Sequence, residues 1–302
     1  MPRFFAPSDA FSDGMISILG DDAHHIARSL RMAEGDEITV CDMHGCEHSC
    51  RLIRIRDEEC VAEILSSKQS DTEPPCTLHN GFTLEIGQGC FPFSTDSIAL
   101  SHFTRLPPQA NVLDLGSGCA TLGILLCAKD NHCHVTGVEL DQSAHQAALK
   151  NISANGLDAR LTSICGDLRA IPSLLPAGSF SCCVSNPPYF TAGPQSQTVP
   201  LARREDRCSM QELFQAAAWA LKYGGDFFLV HRPERFAELC ACASQNQLEP
   251  KRICLLRHRP NVLPSLILVQ CRKGAKPGLI WEEAYLHQAD GTPTEYYKAL
   301  YH

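Results

Sequence analysis

The first 66 residues alternate short apolar stretches with turns. Four stretches are rich in isoleucine and valine: MISIL (15–19), EITVCDM (37–43), CRLIRI (50–55) and CVAEIL (60–65). Short β-branched runs between turn residues predict strands, and together they predict a small β-barrel with one helix in DDAHHIARSLRM (21–32). The polar segment 67–76 contains a proline pair and predicts a linker.

From residue 77 onwards the pattern changes to strand, glycine turn and helix. NVLDLGSG (111–118) is an apolar run that ends in glycines, and the helical pattern of ATLGILLCAKD (120–130) follows it. Further along, MQELFQAAAWALKYGG (210–225) predicts a helix that ends at Gly224 and Gly225. This alternation predicts an α/β fold over 77–302, with a Rossmann-like, parallel, doubly wound sheet that binds ligands beyond the carboxyl ends of its strands.

Composition fits two ordinary folded domains. The chain has 302 residues, of which 44% are apolar and 20% charged, and this excludes a disordered or collagen-like protein. Apolar runs stay well below the roughly 18 residues of a transmembrane helix, and MPRFFAPSDA lacks the features of a secretory signal. We therefore expect a soluble, cytoplasmic protein with no membrane partner. Its 17 cysteines are irregularly spaced, and we expect reduced thiols that replace small apolar residues.

The net charge of −8 is unevenly distributed along the chain. Residues 1–75 contain 7 basic and 15 acidic residues, whereas 200–276 contain 13 basic and 7 acidic residues. The second of these segments is the only basic block, so a polyanionic partner is expected to bind mainly there.

The segment LDLGSGCATLG (113–123) is the first candidate ligand site. Gly116 and Gly118 allow a sharp turn after the strand, and free N–H groups at the following helix start face a ligand. The pattern is G-x-G-x-x-T, and Asp114 precedes it. A carboxylate there suits a ligand with a positively charged amino-acid tail better than a pyrophosphate. Alone, the segment is equally consistent with a glycine turn in an α/β protein that binds no nucleotide.

Acidic residues end the next two strands as well. Glu139 in TGVELD is placed to accept both hydroxyls of a ribose, which suits NAD or S-adenosylmethionine, although a solvated acid at a strand end gives the same pattern. Asp167 in CGD, with Leu168 beside it, is assigned to the adenine end of the same cofactor.

The segment SNPPY (185–189) indicates the chemistry. Its prolines fix the backbone after a buried strand, so that the Asn186 side-chain carbonyl and the Pro187 backbone carbonyl accept both hydrogens of a planar amine. Pro188 keeps the turn rigid, and Tyr189 offers a ring that stacks on an extruded base. The alternative is a purely structural turn. The long polar loop 190–208, which carries Arg203, Arg204 and Arg207, is a candidate RNA-binding lid.

The segment CDMHGCEHSC (41–50) contains three cysteines and two histidines, which are the residue types of a zinc site. On a straight strand Cys46 and Cys50 would lie about 13 Å apart, too far to share one ion. We therefore expect a hairpin and no metal.

The motifs LDLGSG, GVELD, CGD and SNPPY resemble those of class I methyltransferases that modify exocyclic amines. With FPFSTDSIAL (91–100), ARRE (202–205), VHRPERF (230–236), EPKRI (249–253) and KPGLI (276–280), residues 76–302 resemble the bacterial tRNA1(Val) (adenine-37-N6)-methyltransferase family. The resemblance implies S-adenosylmethionine as cofactor, covered by Phe93 and Thr95 and contacted by Asn186, which with Tyr189 also holds the base. The family usually has a glycine where this chain has Ala120, and we expect cofactor binding to survive the extra methyl group.

The first domain resembles the small PUA-like barrel that begins the bacterial 16S rRNA uridine methyltransferases. MPRFF, DDAHHIARSLRM and EGDEITV carry this resemblance. It implies that His25, Arg28 and Arg31 face RNA. The acidic balance of this part equally suits a barrel kept for stability or dimerisation.

Together, these patterns and resemblances lead to the hypothesis that the protein is an RNA adenine-N6 methyltransferase that acts on tRNA, with rRNA as the alternative substrate. Two other functions are consistent with parts of the pattern. Protein glutamine N5-methyltransferases of the release-factor type also present NPPY to a planar amide, and a non-catalytic RNA-binding module could retain the same fold. The sequence does not set the oligomeric state.

Overall fold

A computed structural model describes residues 3–6, 10–12, 14–19, 23, 26–27, 32–42, 46–56, 59–69, 76–77, 81–84, 95–187 and 208–301. The chain divides between residues 75 and 76 into two compact units, and each has its own apolar core. Within the described ranges, every helix is too short or too polar to cross a lipid bilayer.

The first unit is a six-stranded sheet. Its strands are β1 (Arg3–Ala6), β2 (Phe11–Ser12), β3 (Met15–Leu19), β4 (Glu37–Asp42), β5 (Cys46–Ile55) and β6 (Glu59–Gln69). The order across the sheet is β1-β4-β5-β6-β3-β2, and only the β1–β4 pair is parallel. Alternate residues of the strands, such as Ile16 and Ile18 in β3, form the core.

Two details of this unit bear on the sequence predictions. Strands β4 and β5 pair in antiparallel register, with Cys41 opposite Glu47, which confirms the predicted hairpin in 41–50. Strand β6 continues to Gln69, so three residues assigned to the linker belong to the sheet instead. Their backbones pair with β5, and this pairing gives the segment a structural role that its polar composition did not reveal.

The second unit is built on an eight-stranded sheet. Its strands are β9 (Asn111–Leu115), β10 (His134–Glu139), β11 (Leu161–Cys165), β12 (Phe180–Ser185), β13 (Leu221–His231), β14 (Leu248–Arg257), β15 (Leu266–Lys273) and β16 (Ile280–Tyr285). The order is β11-β10-β9-β12-β13-β15-β14-β16. A separate two-stranded ribbon, β7 (Cys76–Thr77) with β8 (Thr83–Leu84), precedes it.

The predicted parallel sheet is confirmed except for one reversed strand, β15, since β14 and β16 run in the same direction as β9 to β13. Strands β9 to β13 are parallel, but β15 runs antiparallel to both β13 and β14. Residues 258–265, which connect β14 to β15, are too few for the crossover that a parallel pair requires, so the chain turns back as a hairpin.

Helices cover both faces of the sheet. They are α1 (Thr95–Phe103), α2 (Thr121–Lys129), α3 (Gln142–Ala154), α4 (Ile171–Leu174), α5 (Met210–Ala220), α6 (Phe236–Gln245) and α7 (Glu295–Tyr301). Successive residues of β9 point to opposite faces, so Val112 joins one core cluster while Leu113 joins the other. This arrangement confirms the doubly wound α/β prediction.

Helix α5 ends earlier than predicted. It stops at Ala220. Leu221, the first residue of β13, has an extended backbone and pairs with Phe180 of β12. Leu221 is fully buried, and the Gly224–Gly225 pair falls inside the strand segment.

The cysteines behave as small apolar residues. Among the described residues, 13 cysteines are free thiols, and 10 of these are buried. This confirms, for these residues, that cysteine fills the core rather than forming disulfide bonds.

Candidate active site

The site lies where three neighbouring strands end. Strand β9 is flanked by β10 and β12, and Asp114 is level with Gly137 on one side and Val184 on the other. Because these strands are parallel, the residues that follow them meet at one edge of the sheet. The topology therefore brings together the glycine-rich turn, Glu139 and Asn186, as the sequence predicts.

The glycine-rich turn depends on left-handed backbone conformations. Gly116 and Gly118 have φ of 76° and 55°, and Ala120, which immediately precedes α2, has φ of 67°. A left-handed conformation costs an alanine about 1–2 kcal/mol that a glycine avoids, which explains physically why glycine is the usual residue there. The Ala120 methyl group is only 2% exposed and packs into the core. It therefore affects the backbone at the helix start rather than projecting towards a ligand.

Asp114 is the electrostatic centre of this edge. Its side chain is 1% exposed, and its Oδ2 has no hydrogen-bond partner within the described part of the chain. Burial, with a further contribution from the nearby Glu139 carboxylate, raises the pKa of Asp114 to about 7. A buried carboxyl group with an unpaired oxygen is complementary to a cationic group.

Glu139 connects the end of β10 to the glycine-rich turn. Its Oε2 accepts a 2.8 Å hydrogen bond from the Gly118 N–H, and its Oε1 accepts one of 2.8 Å from the Asp141 N–H. These bonds orient the half-buried carboxylate, and each oxygen keeps a lone pair for a further donor. The Gly118 N–H, one of the groups that the sequence analysis expected to face a ligand, is thus hydrogen-bonded within the protein.

Asp167 is engaged by its own chain. The Arg169 guanidinium binds it bidentately, with an Nη2–Oδ2 distance of 2.6 Å and an Nε–Oδ1 distance of 3.0 Å. The hydrogen bonds from Arg169 hold the pKa of this carboxyl below its usual range. Leu168 is half-buried against the core. The predicted adenine contact of Asp167 remains a prediction, and an adenine amine would share this carboxylate with Arg169.

Asn186 is anchored by a residue that the sequence did not single out. Its Nδ2 donates a 2.9 Å hydrogen bond to Oγ of Ser97, which lies in the first turn of α1 and is 8% exposed. Beside it, Ser185 Oγ donates to the Leu115 carbonyl at 2.7 Å and ties β12 to β9, while Pro187 is buried. The Asn186 amide is therefore held in one orientation.

Thr95 faces the C-terminal helix. Its hydroxyl forms a 2.8 Å hydrogen bond with the Tyr301 hydroxyl, 206 positions along the chain. The remaining candidate residues lie outside the described ranges: Phe93, Pro188, Tyr189, His25, Arg28, Arg31, Arg203, Arg204 and Arg207.

Gly137 is a second residue that the sequence analysis missed. An added Cβ at this position would lie 2.6 Å from Ser117 Oγ and 2.8 Å from Ser117 Cβ. Ser117 is the middle residue of the glycine-rich turn, so the turn rests directly on the β10 backbone. A glycine in the middle of a strand is a sequence signal for such a close approach.

Two protein-family models match the chain. The model described as a methyltransferase small domain matches residues 95–239, and the model described as an RNA methyltransferase PUA domain matches residues 18–65. The first match contains every described residue of the candidate site except Tyr301, and the second lies in the six-stranded unit. Together they confirm the predicted combination of a methyltransferase fold with a PUA-like domain.

Curated relatives and a solved structure agree with these matches. The tRNA1(Val) (adenine(37)-N6)-methyltransferase of Tolumonas auensis is 30% identical over 194 residues, covering 62% of this chain and 80% of the relative. The enzyme of the same name from Bacteroides fragilis is 28% identical over 191 residues, covering 62% and 80%. A predicted O-methyltransferase from Agrobacterium tumefaciens has a TM-score of 0.58 at 20% identity, over 68% of this chain and 95% of that one, which shows a shared fold.

The contact between Gly137 and Ser117 generates a testable prediction. Gly137→Ala forces the glycine-rich turn away from β10, and overpacking of this kind lowers the free energy of unfolding by about 1–3 kcal/mol. Chemical denaturation of Gly137→Ala, Ser117→Gly and the double variant forms a double-mutant cycle. We expect the alanine to cost far less in the Ser117→Gly background, whereas equal costs in both backgrounds would contradict the contact.

Proposed function

The chain belongs to the tRNA1(Val) (adenine(37)-N6)-methyltransferase family, and from that membership we propose that it transfers a methyl group from S-adenosylmethionine to the N6 amine of an adenine in RNA. We propose a tRNA anticodon loop as the substrate and the cytoplasm as the place of reaction. The observation that carries the proposal is the juxtaposition, at one sheet edge, of the Asp114 carboxyl, whose Oδ2 has no partner among the described residues, and the anchored Asn186 amide.

The residues present fit the proposed cofactor. The unpaired, buried Oδ2 of Asp114 is complementary to the ammonium group of the cofactor's amino-acid part. The remaining lone pairs of Glu139 suit the two ribose hydroxyls. Space is open at the turn itself, because an added Cβ at Gly116 or Gly118 would meet nothing within 4 Å among the described residues. When bound, S-adenosylmethionine supplies an electrophilic methyl group on a positively charged sulfur.

The proposed role of Asn186 is to orient the target amine. Its Nδ2 is held by Ser97, so its Oδ1 is the atom left to accept one N6 hydrogen, and the Pro187 carbonyl accepts the other. Two acceptors in this arrangement favour a pyramidal nitrogen whose lone pair points towards the methyl donor. The contribution is alignment and preorganised hydrogen bonding, and no strong base is required.

The substrate contacts outside the described ranges complete the proposal. Tyr189 stacks on the extruded adenine, Pro188 keeps that turn rigid, and the arginines Arg203, Arg204 and Arg207 contact the RNA backbone. An unpaired loop base is the natural target, because it is extruded at lower cost than a paired one. Support for an RNA substrate also comes from the PUA-domain match, which includes His25, Arg28 and Arg31 as proposed contacts.

The direct test is methyl transfer from labelled S-adenosylmethionine to tRNA and rRNA from cells that lack the enzyme. We expect N6-methyladenosine in the digested tRNA, identified by mass spectrometry. Asn186→Ala is expected to lower kcat by roughly two or three orders of magnitude, by analogy with removing one group from a preorganised site. Near-normal turnover by Asn186→Ala would contradict the mechanism, and label in neither RNA would contradict the proposed substrate.

A second prediction concerns Ser97 as a positioning residue. Ser97→Ala removes the hydrogen bond that fixes the Asn186 amide, so we expect kcat to fall about 2- to 12-fold while KM for RNA and the Kd of the cofactor stay unchanged. Ser101→Ala is the matched control, because Ser101 is a buried serine one helical turn further along α1. An equal loss in both variants would show that Ser97 acts only through helix stability.

A further inference from the structure

The directions of the last strands place a second group of residues at the active-site edge. Strand β13 is parallel to β12, so it ends at this edge, and β15, which is antiparallel to β13, begins there. Strands β14 and β16 both end at the same edge, since Leu256 pairs with Leu266 and Arg257 with Tyr285. Residues 258–265, which we call the rim loop, therefore lie on the side of the sheet where Asn186 lies.

A row of aromatic rings supports the rim loop. His258 lies 4.7 Å from His287, His287 lies 5.1 Å from Tyr297, and Tyr297 lies 4.6 Å from Tyr301, measured between ring centroids. The Tyr301 hydroxyl then bonds Thr95 at the start of α1, two residues before Ser97. The row thus extends from the rim loop to the helix that anchors Asn186. Its inner three rings are half-buried, whereas the outermost, His258, is exposed.

The tip of the rim loop is apolar and exposed. Leu263 is 85% exposed and Val262 is 47% exposed. The tip is nevertheless held in place, because Arg257 Nη1 donates a 2.5 Å hydrogen bond to the Val262 carbonyl and Arg232 Nη1 donates one of 3.4 Å to the Ser265 carbonyl. An exposed leucine on an anchored loop beside a proposed active site is placed to contact a bound substrate.

The charges around the loop favour an anionic partner. Arg259 is exposed and has no carboxylate within ion-pair distance in the described part of the chain. Two carboxylates of β16 and α7 already have cationic partners, since Glu283 pairs with Arg257 and Glu295 pairs with Lys298. A free guanidinium beside an exposed ring and an apolar tip is the combination with which proteins bind single-stranded nucleic acid, through phosphate contacts and base stacking.

We propose that the rim surface, formed by His258, Arg259 and Leu263, binds the single-stranded RNA that flanks the target adenine. His258 stacks on a flanking base, Leu263 occupies the space that the extruded adenine leaves, and Arg259 contacts a phosphate. The inference rests on the proposed function, because it takes RNA as the substrate of the same site. The rim surface lies outside the segments to which we assigned substrate contacts above, namely SNPPY, the loop 190–208 and the PUA-like domain.

The distances suit this assignment. Strand β14, which His258 and Arg259 follow, lies three positions from β12 in the sheet, so these residues lie about 14 Å from the end of β12 at the usual spacing of neighbouring strands. Stacked nucleotides rise about 3.4 Å each. The rim surface is therefore within about four nucleotides of the base held by Asn186.

The test compares His258→Ala, Arg259→Ala and Leu263→Ala in the full chain, with an anticodon stem-loop RNA. For His258→Ala and Leu263→Ala we expect RNA affinity, measured by fluorescence anisotropy, to fall about 5- to 100-fold. Arg259→Ala should weaken binding and reduce the slope of log affinity against log salt by about one. The Kd for S-adenosylmethionine, measured by calorimetry, should stay unchanged in all three.

Matched controls lie away from the rim. Arg105→Ala removes an exposed arginine at the opposite edge of the sheet, and Leu149→Ala removes a 41% exposed leucine on α3. Both should retain wild-type RNA affinity. If the wild-type protein methylates RNA and the rim variants bind RNA with wild-type affinity, the rim assignment is wrong while the proposed function stands. If the wild-type protein methylates no RNA, the proposed function fails and this inference fails with it.

Discussion

The site is organised around a buried carboxyl group, one oxygen of which has no hydrogen-bond partner among the described residues. Asp114 lies on the central one of three neighbouring strands, and its Oδ2 is unpaired among the described residues. Burial raises its pKa to about 7, well above that of an aspartate in the unfolded chain. The folded state therefore binds a proton more tightly than the unfolded state does, and ionisation of Asp114 lowers the free energy of unfolding as the pH rises from about 4 to 7. A cation bound beside the ionised carboxylate offsets this loss of stability, so the site favours a positively charged ligand.

The second constraint is the orientation of the Asn186 amide, which depends on helix α1. Ser97 holds the amide, and Thr95 on the same helix bonds Tyr301 of α7. The segment before the sheet and the segment after it thus meet beside the strand that carries Asn186. The orientation of the Asn186 amide consequently depends on both ends of the second unit.

Much of this arrangement could be predicted from the sequence, because it follows from strand order. The glycine-rich turn, Glu139 and Asn186 each come directly after an apolar run, and parallel strands end at one edge, so their proximity follows from local patterns. Contacts between distant segments could not be predicted in this way. Ser97 and Asn186 are 89 positions apart, and although both lie in motifs of the same family resemblance, no periodicity predicts the hydrogen bond between them.

Other differences have local physical causes. The antiparallel β14–β15 pair follows from a connection too short for a crossover, which a pattern of apolar runs does not reveal. The pairing of Asp167 with Arg169 involves residues only two positions apart, yet the sequence cannot show whether such an arginine turns towards the carboxylate or towards solvent. In both cases the structure depends on a direction that the sequence does not specify: that of the chain after β14, and that of the Arg169 side chain.

The most direct test is the titration of Asp114 itself, followed by ¹³C NMR of the aspartate carboxyl carbons with Asp114→Asn as the assignment control. In the free protein we predict that this carboxyl titrates near pH 7. With saturating S-adenosylmethionine, we predict that it stays ionised down to at least one pH unit lower, because an ammonium group beside it stabilises the carboxylate. An Asp114 that titrates near its ordinary value in the free protein, or whose titration the cofactor leaves unchanged, would contradict the account.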